Sequence, residues 1–389
     1  MDMIVNRLGA SSIDVRNHFH HLHQHPGLGF DVGGAAGYIA EQLRSWGYEV
    51  TEGIGKTGVV GRLKVGDGSA SIGLRADTDA LPVQEGSDLP FKSKVAGISH
   101  MCGHDAHSAM LLGAAEYLAR TRDFSGTLNV IFQPAEEVMA GAPAMIADGL
   151  FERFPMDAIF GLHNMPGLPS GKLHFTAGPI MAAVDNWEVV LTGVGSHGSM
   201  PERSVDPVVA GAALVMSLQT IVSRNVAPAD AAVVSVGAFL AGDAGNVIPQ
   251  SATLRLSVRT RRPETRTLVL DKIRRIVAAT AEAYAVKSEI REGSPGAILI
   301  NDAAETERCI GIARSLLGEE GVVSPGPTFM GSEDFAFYAQ KVPAVYAFIG
   351  NGDTPMVHHP MYVFDESNLS VGVAYWVAVA EAYLAGPAT

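Results

Sequence analysis

The chain has 389 residues, 47% of them hydrophobic and 18% charged, with a formal net charge of −13. That length exceeds one ordinary core and suits two domains, or a large α/β enzyme domain carrying an insertion. The acidic balance lacks the basic face of a nucleic-acid binder, and the two cysteines, Cys102 and Cys309, make no disulfide framework and suit a reducing compartment.

The opening Met1-Asp2-Met3-Ile4-Val5-Asn6-Arg7 lacks a basic start followed by an apolar run, so no signal peptide is expected. Residues 12–47 read as amphipathic helix, interrupted by the glycines of 27–34. Strand and helix then alternate. A strand at 71–76 ends in Asp77-Thr78-Asp79, and a helix follows at 105–120. A strand at 128–132 runs into Gln133-Pro134-Ala135-Glu136-Glu137, and another at 158–162 ends at His163-Asn164. This alternation predicts an α/β fold whose mostly parallel sheet is flanked by helices.

The pattern changes near Gly178-Pro179. Strands with alternating polarity are predicted at 187–192, 231–240 and 254–259, with helices at 206–223 and 266–284. Two helices on an antiparallel sheet make an α+β module of domain size, and Gly293-Ser294-Pro295-Gly296 punctuates its end. A strand at 343–349 and a final helix at 366–384 return to the earlier idiom. The expected organisation is a catalytic domain of residues 1–181 and 293–389, split by an inserted domain at 182–292. The apolar stretches 205–218 and 371–384 are broken by polar or small residues and are too short to cross a bilayer. A cytoplasmic chain without membrane contact is therefore expected.

The segment His100-Met101-Cys102-Gly103-His104-Asp105-Ala106-His107 sets a thiol and an imidazole two residues apart. Both can reach one ion, with Gly103 allowing a tight turn between them. A buried cysteine beside surface histidines would give the same letters. Adjacent Glu136 and Glu137 leave a strand end in different directions, so one can hold a metal while the other accepts a proton from water. The plainer alternative is a solvated turn before a helix. His163 stands at another strand end, and His358-His359-Pro360 follows the last strand. In an open α/β sheet functional groups gather at the carboxyl ends of strands. Four segments delivering metal-capable groups there point to a metallohydrolase more firmly than any one of them.

The motifs around Arg75-Ala76-Asp77-Thr78-Asp79-Ala80-Leu81-Pro82, Cys102-Gly103-His104-Asp105, Glu136-Glu137, Gly195-Ser196-His197, Asn246-Val247-Ile248-Pro249, Gly331-Ser332-Glu333-Asp334-Phe335 and His358-His359-Pro360 occur together and in order. Over nearly the whole chain this set resembles the aminoacylase/carboxypeptidase family of dinuclear metallopeptidases. Its branch is that of hippurate hydrolases and auxin–amino-acid conjugate hydrolases. The resemblance implies a two-domain metallohydrolase whose smaller lid domain also mediates dimerisation. It implies two divalent ions per subunit, held by Cys102, His104, Glu137, His163 and His358, with Glu136 as general base. His358 is preferred to His359 because the family's ligand stands two residues before the proline. Other branches carry a His-x-Asp ligand motif where this chain has Asp77-Thr78-Asp79. Asp79 is therefore expected to support the ligands from behind, and Asp105 to orient His104 or cap the following helix. From the lid, His197 would stabilise the oxyanion, within its own chain or across to a partner subunit. Asn246 and Arg259 would hold the substrate's α-carboxylate.

The activity so implied is hydrolysis of N-acyl amino acids, whether hippurate-like, N-acetyl or indoleacetyl conjugates, to a carboxylic acid and a free amino acid. Glu136 would take a proton from water and return it to the leaving amine. Thiolate and imidazole suit zinc, while the carboxylate admits manganese, cobalt or nickel. A homodimer or higher homo-oligomer through the inserted domain is expected, with no nucleic-acid partner. Three other readings stay open: a dipeptidase or carboxypeptidase, a Cys102 thiol hydrolase with His104 or His100 as base, and a non-catalytic metal-stabilised binding protein. The thiol reading leaves Glu136, His163 and His358 without roles, and a binding protein has no need of Glu136.

Overall fold

Unbroken apolar runs between polar turns become strands buried on both faces, as in Ala158–Met165, which is buried along its whole length. The computed structural model describes residues 14–385. The first two residues of the predicted 12–47 helix, and the outermost ends of the predicted catalytic domain, lie outside the described residues.

In chain order, α1 (Val15–Gln24) and α2 (Gly33–Ser45) precede β1 (Glu49–Ile54), β2 (Gly58–Val65) and β3 (Ser71–Asp77). Next come α3 (His104–Thr121), β4 (Gly126–Gln133), α4 (Gly141–Ala147), β5 (Ala158–Met165) and β6 (Leu173–His174). A second set holds β7 (Ala183–Thr192), β8 (Ser196–His197), α5 (Pro207–Asn225), β9 (Ala232–Leu240), β10 (Val247–Ile248), β11 (Ser251–Thr260), α6 (Pro263–Ala283) and β12 (Lys287–Glu292). The chain ends with α7 (Ala303–Leu317), β13 (Val322–Val323), β14 (Ala344–Gly350) and α8 (Asn368–Tyr383). It divides into two compact units. One runs to Gly178 and includes Ile300–Pro327 and the chain from Asp334 onward; the other is Pro179–Leu299 with Thr328–Glu333.

The first unit is built on an eight-stranded sheet of order β1-β2-β4-β3-β5-β14-β6-β13. Its central strands β4, β3, β5 and β14 run parallel, while β1, β2 and β6 join antiparallel. Helix α3 packs on β3 and against α1 and α8. Its Leu111, Leu112 and Leu118 are fully buried, each contributing about 1.5–3 kcal/mol of transfer free energy. The parallel strands all end at one edge, and there β3, β4 and β5 release the chain near Asp79, Glu136 and His163.

The second unit is an antiparallel sheet of order β9-β11-β7-β12 with α5 and α6 packed on it. Trp187, Val189 and Leu191 of β7 alternate inward and meet Leu214, Leu218 and Ile273 from the helices. Helix α5 starts at Pro207, capped by Asp206, which accepts the Val208 and Val209 N–H groups. At 19 residues and mean hydropathy 1.3 this helix is long and apolar enough to cross a membrane. Here its Ala210, Leu214, Leu218 and Ile221 stripe lies in the unit's core. The short segment Thr328–Glu333 is stitched to the unit through its backbone. Ala182 N–H donates to Gly331 O (2.9 Å) and Phe329 N–H to Ile180 O (2.8 Å).

Candidate metal centre

Tight turns at the strand exits set the site. Gly103, at φ 95°, reverses the chain directly before α3, where a Cβ would come within 2.2 Å of Asn164 Nδ2. Ala135 and His358 also adopt positive φ, 56° and 70°, a conformation held here by tertiary packing. Thr78 binds the Gln133 carbonyl through its N–H (2.9 Å) and hydroxyl (3.0 Å), tying the β3 and β4 exits together. His358 N–H donates to Met101 O at 2.6 Å, which draws the distal loop onto the Cys102 turn.

The result is one cluster in the first unit. Cys102, His104 and His163 offer ligand atoms within 4.8 Å of one another, as do Cys102, Glu137 and His358, and also His104, Glu136 and Glu137. Cys102 Sγ lies 3.5 Å from His163 Nε2, and His358 Nε2 lies 3.4 Å from Glu137 Oε2. Tetrahedral ligands at zinc-like bond lengths stand roughly 3.4–3.6 Å apart, so these spacings fit donors around shared ions.

Hydrogen bonding fixes which atoms face inward. His104 Nδ1 donates to Asp79 O (2.9 Å) and His163 Nδ1 to Asn164 O (2.5 Å), leaving both Nε2 lone pairs aimed into the cluster. Among the described residues, His104 Nε2 and Glu137 Oε1 are buried without a hydrogen-bond partner, 3.9 Å apart. With the His104 ring neutral, as a metal ligand must be, these are two acceptors facing each other in the interior, which is costly unless a cation lies between them. The donor set therefore fits a metal ion.

Electrostatics agree. Burial pushes the Cys102 thiol above its ordinary value, so a thiolate here requires a neighbouring cation. His358 is pushed up to about 10 by its contacts with Cys102 and Glu137. His104 is also held well above its usual range, with Asp77 and Cys102 outweighing burial. Without an ion, the surrounding anions draw a second proton onto these rings; an ion bound there would displace it and take the Nε2 lone pair.

Asp79 sits beneath the cluster and accepts the Glu136 N–H at Oδ1 (3.0 Å) and the Glu137 N–H at Oδ2 (3.1 Å). Asp105, in the first turn of α3, accepts the Ala106 N–H at Oδ1 (2.9 Å) and meets His23 Nδ1 at Oδ2 (2.6 Å), while the Asp79 carbonyl holds His104 Nδ1 (2.9 Å). In the second unit His197 and Asn246 are neighbours. Val247 pairs with His197, and Gly198 N–H donates to Asn246 O at 2.7 Å. His197 is exposed, and its Nδ1 accepts from the Ser199 N–H (3.1 Å) and hydroxyl (2.8 Å). With Nδ1 accepting, the neutral ring carries its hydrogen on Nε2. Arg259, on β11, uses Nη1 to bind Met330 O (2.9 Å) and Ser332 Oγ (3.3 Å) in the same unit.

Sequence reasoning missed two buried groups behind the cluster. Asn164 and Tyr362 carry no motif, though an Asn directly after a strand-end His is a weak signal. His23 on α1, between Asp105 and Glu85 (2.6 and 3.3 Å), left none.

A model of the family described as peptidase family M20/M25/M40 matches residues 73–382. The chain is 44% identical over 365 residues to the hippurate hydrolase of Campylobacter jejuni, covering 94% of this chain and 95% of that protein. It is 37% identical over 367 residues to an N-acetylcysteine deacetylase of Bacillus subtilis, covering 92% and 94%. Among solved structures, the Bacillus subtilis YXEP protein, described as a dinuclear metal binding peptidase from the M20 family, superposes with a TM-score of 0.83. Its identity is 34%, over 95% of this chain and 97% of that one. With its family motifs running through a cluster of this geometry, the chain belongs to peptidase family M20/M25/M40.

Proposed function

We propose that the protein is a metal-dependent amidohydrolase that cleaves N-acyl amino acids into a carboxylic acid and a free amino acid. The observation that carries this is the pair of buried acceptors that find no partner among the described residues, His104 Nε2 and Glu137 Oε1, with a second carboxylate, Glu136, beside Glu137. The relatives' names, hippurate hydrolase and N-acetylcysteine deacetylase, support an N-acyl amino acid as substrate. The dinuclear description of the YXEP protein supports two ions.

Cys102, His104, Glu137, His163 and His358 would hold the ions, with the Cys102 side favouring zinc, cobalt or nickel over manganese. Bound there, divalent ions supply a Lewis acid for the amide carbonyl and lower the pKa of water. Glu136 accepts the proton of the attacking water and hands it to the leaving nitrogen. Asp79 keeps Glu136 in place through its backbone. His197 donates from Nε2 to the oxyanion, and Asn246 and Arg259 receive the α-carboxylate. A Cys102 nucleophile is disfavoured, because burial raises the thiol where nucleophilic catalysis needs it lowered.

The protein acts as a homodimer in a reducing, cytoplasmic setting. Strand β9 ends the second unit's sheet, and Val233, Phe239 and Leu240 on it are exposed, as are Val209 and Met216 on α5. An apolar edge of this kind favours pairing with a second copy. The function is tested by dialysing the protein against a strong chelator and assaying N-benzoylglycine and N-acetyl amino acids. Activity should vanish and return with divalent ions. Full activity in metal-free protein would end the proposal.

A further inference from the structure

Directly behind the cluster, the fully buried Asn164 side chain joins three ligand-bearing segments. Its Nδ2 donates to Cys102 O (2.7 Å) and to His107 Nε2 on α3 (3.1 Å), and its Oδ1 accepts from the Tyr362 hydroxyl (2.7 Å). Its backbone carbonyl takes the His163 Nδ1 proton. Its backbone N–H also reaches His107 Nε2, at 3.1 Å. His107 passes the linkage on, because its Nδ1 donates to Asp77 Oδ1 (2.7 Å) and Arg75 grips the other oxygen of Asp77 (2.7 Å).

Two consequences are chemical. His107 Nε2 is an acceptor already occupied by Asn164, so His107 cannot ligate although Asp77, His104 and His107 lie close enough for a metal. Both amide hydrogens of Asn164 are used and its Oδ1 accepts, with partners on the 102–107 segment and on the 358–362 loop. Asn164 therefore fixes the separation between the Cys102 turn, the end of β5 and the 358–362 loop.

We propose that Asn164 is a positioning residue of the metal centre, setting Cys102 against His163 so that the thiol side holds its ion. This rests on the metal-dependent reading above. It makes Asn164 a residue outside the ligand set that tunes how strongly the Cys102 thiolate biases the centre toward thiolate-seeking ions.

The test measures ion binding, not turnover. Metal-free wild type and Asn164→Ala are titrated calorimetrically with Zn2+ and Mn2+, Co2+ spectra are recorded, and metal-free melting temperatures are compared. Wild type should bind two ions and show a thiolate-to-Co2+ charge-transfer band. Asn164→Ala should bind Zn2+ roughly tenfold to a hundredfold more weakly, with a smaller loss for Mn2+ and a diminished band. A purely structural role would lower the metal-free melting temperature and leave the Zn2+ to Mn2+ affinity ratio and the band alone; that result overturns the inference. If Asn164→Ala does not fold, Tyr362→Phe, which removes one hydrogen bond to Asn164, should shift the ratio in the same direction by several-fold, and an unchanged ratio rejects the inference. Wild-type protein that binds no divalent ion would instead overturn the metal-dependent reading itself.

Discussion

Asp79 holds Glu136 by its backbone and not by its side chain: Oδ1 of Asp79 accepts the Glu136 N–H at 3.0 Å, while Oδ2 takes the next N–H along. An asparagine there has only one acceptor oxygen and turns its amide hydrogens toward the second N–H. Asp79→Asn should destabilise the protein by about 1–3 kcal/mol and lower kcat tenfold to a hundredfold. Chemical denaturation and steady-state assays on metal-loaded protein check both; an unaltered kcat would show that the turn holds without Asp79.

The adjacent glutamates should separate cleanly. Glu136→Gln keeps its shape but cannot accept a proton, so kcat should fall on the order of 10²–10⁴-fold with metal content intact. Glu137→Gln should lose bound metal. Metal analysis alongside kinetics decides, and the reverse pattern would exchange the two roles.

His197 offers Nε2–H because Ser199 occupies Nδ1. His197→Ala should lower kcat on the order of a hundredfold with little change in KM or metal content. Mixing it with Glu136→Gln protein should rebuild activity if the donor comes from a second copy. Verified subunit exchange without recovery would assign His197 to its own chain.

His23 predicts a pH-dependent stability. Burial alone would lower its pKa, but Asp105 and Glu85 outweigh burial and push it up to about 9. A folded-state pKa above the unfolded value of about 6.5 gives stability that is full below that pH and lost as pH rises through about 9. His23→Gln should therefore destabilise most near pH 6, with a penalty smaller above pH 9 by on the order of 2–3 kcal/mol. Denaturation at pH 6 and 9.5 measures this, and an equal penalty at both would mean His23 is neutral in the fold.

Much of the site can be read from the chain because its chemistry demands rare residue types at strand ends. Cys102, His104, Glu136, Glu137 and His163 each follow or precede an apolar run whose end is marked. The strands 126–133 and 158–165 extend the predicted ones by a few residues, since ladders continue into polar ends. What the sequence hides is of two kinds. The edge strands β1 and β12 are polar, as in Lys-Ser-Glu-Ile-Arg-Glu, and lack a buried face that would impose alternation. Buried polar partners such as His23 and Asp105, or Asn164 and Tyr362, meet across 82 and 198 positions, and no periodicity records that pairing.

The pairing of β5 with β14 has a consequence for synthesis. Residue 165 ends one strand and residue 344 begins its neighbour, with the whole second unit made between them. At roughly 5–20 residues per second the ribosome needs on the order of 10–35 s to bridge that interval. Throughout it, β5, with β3 already made on its other side, waits with its β14-facing edge uncapped and the N–H and C=O groups of that side free. The nascent chain is thus most exposed to wrong pairing at the strand that carries His163, and chaperone dependence should concentrate in that interval.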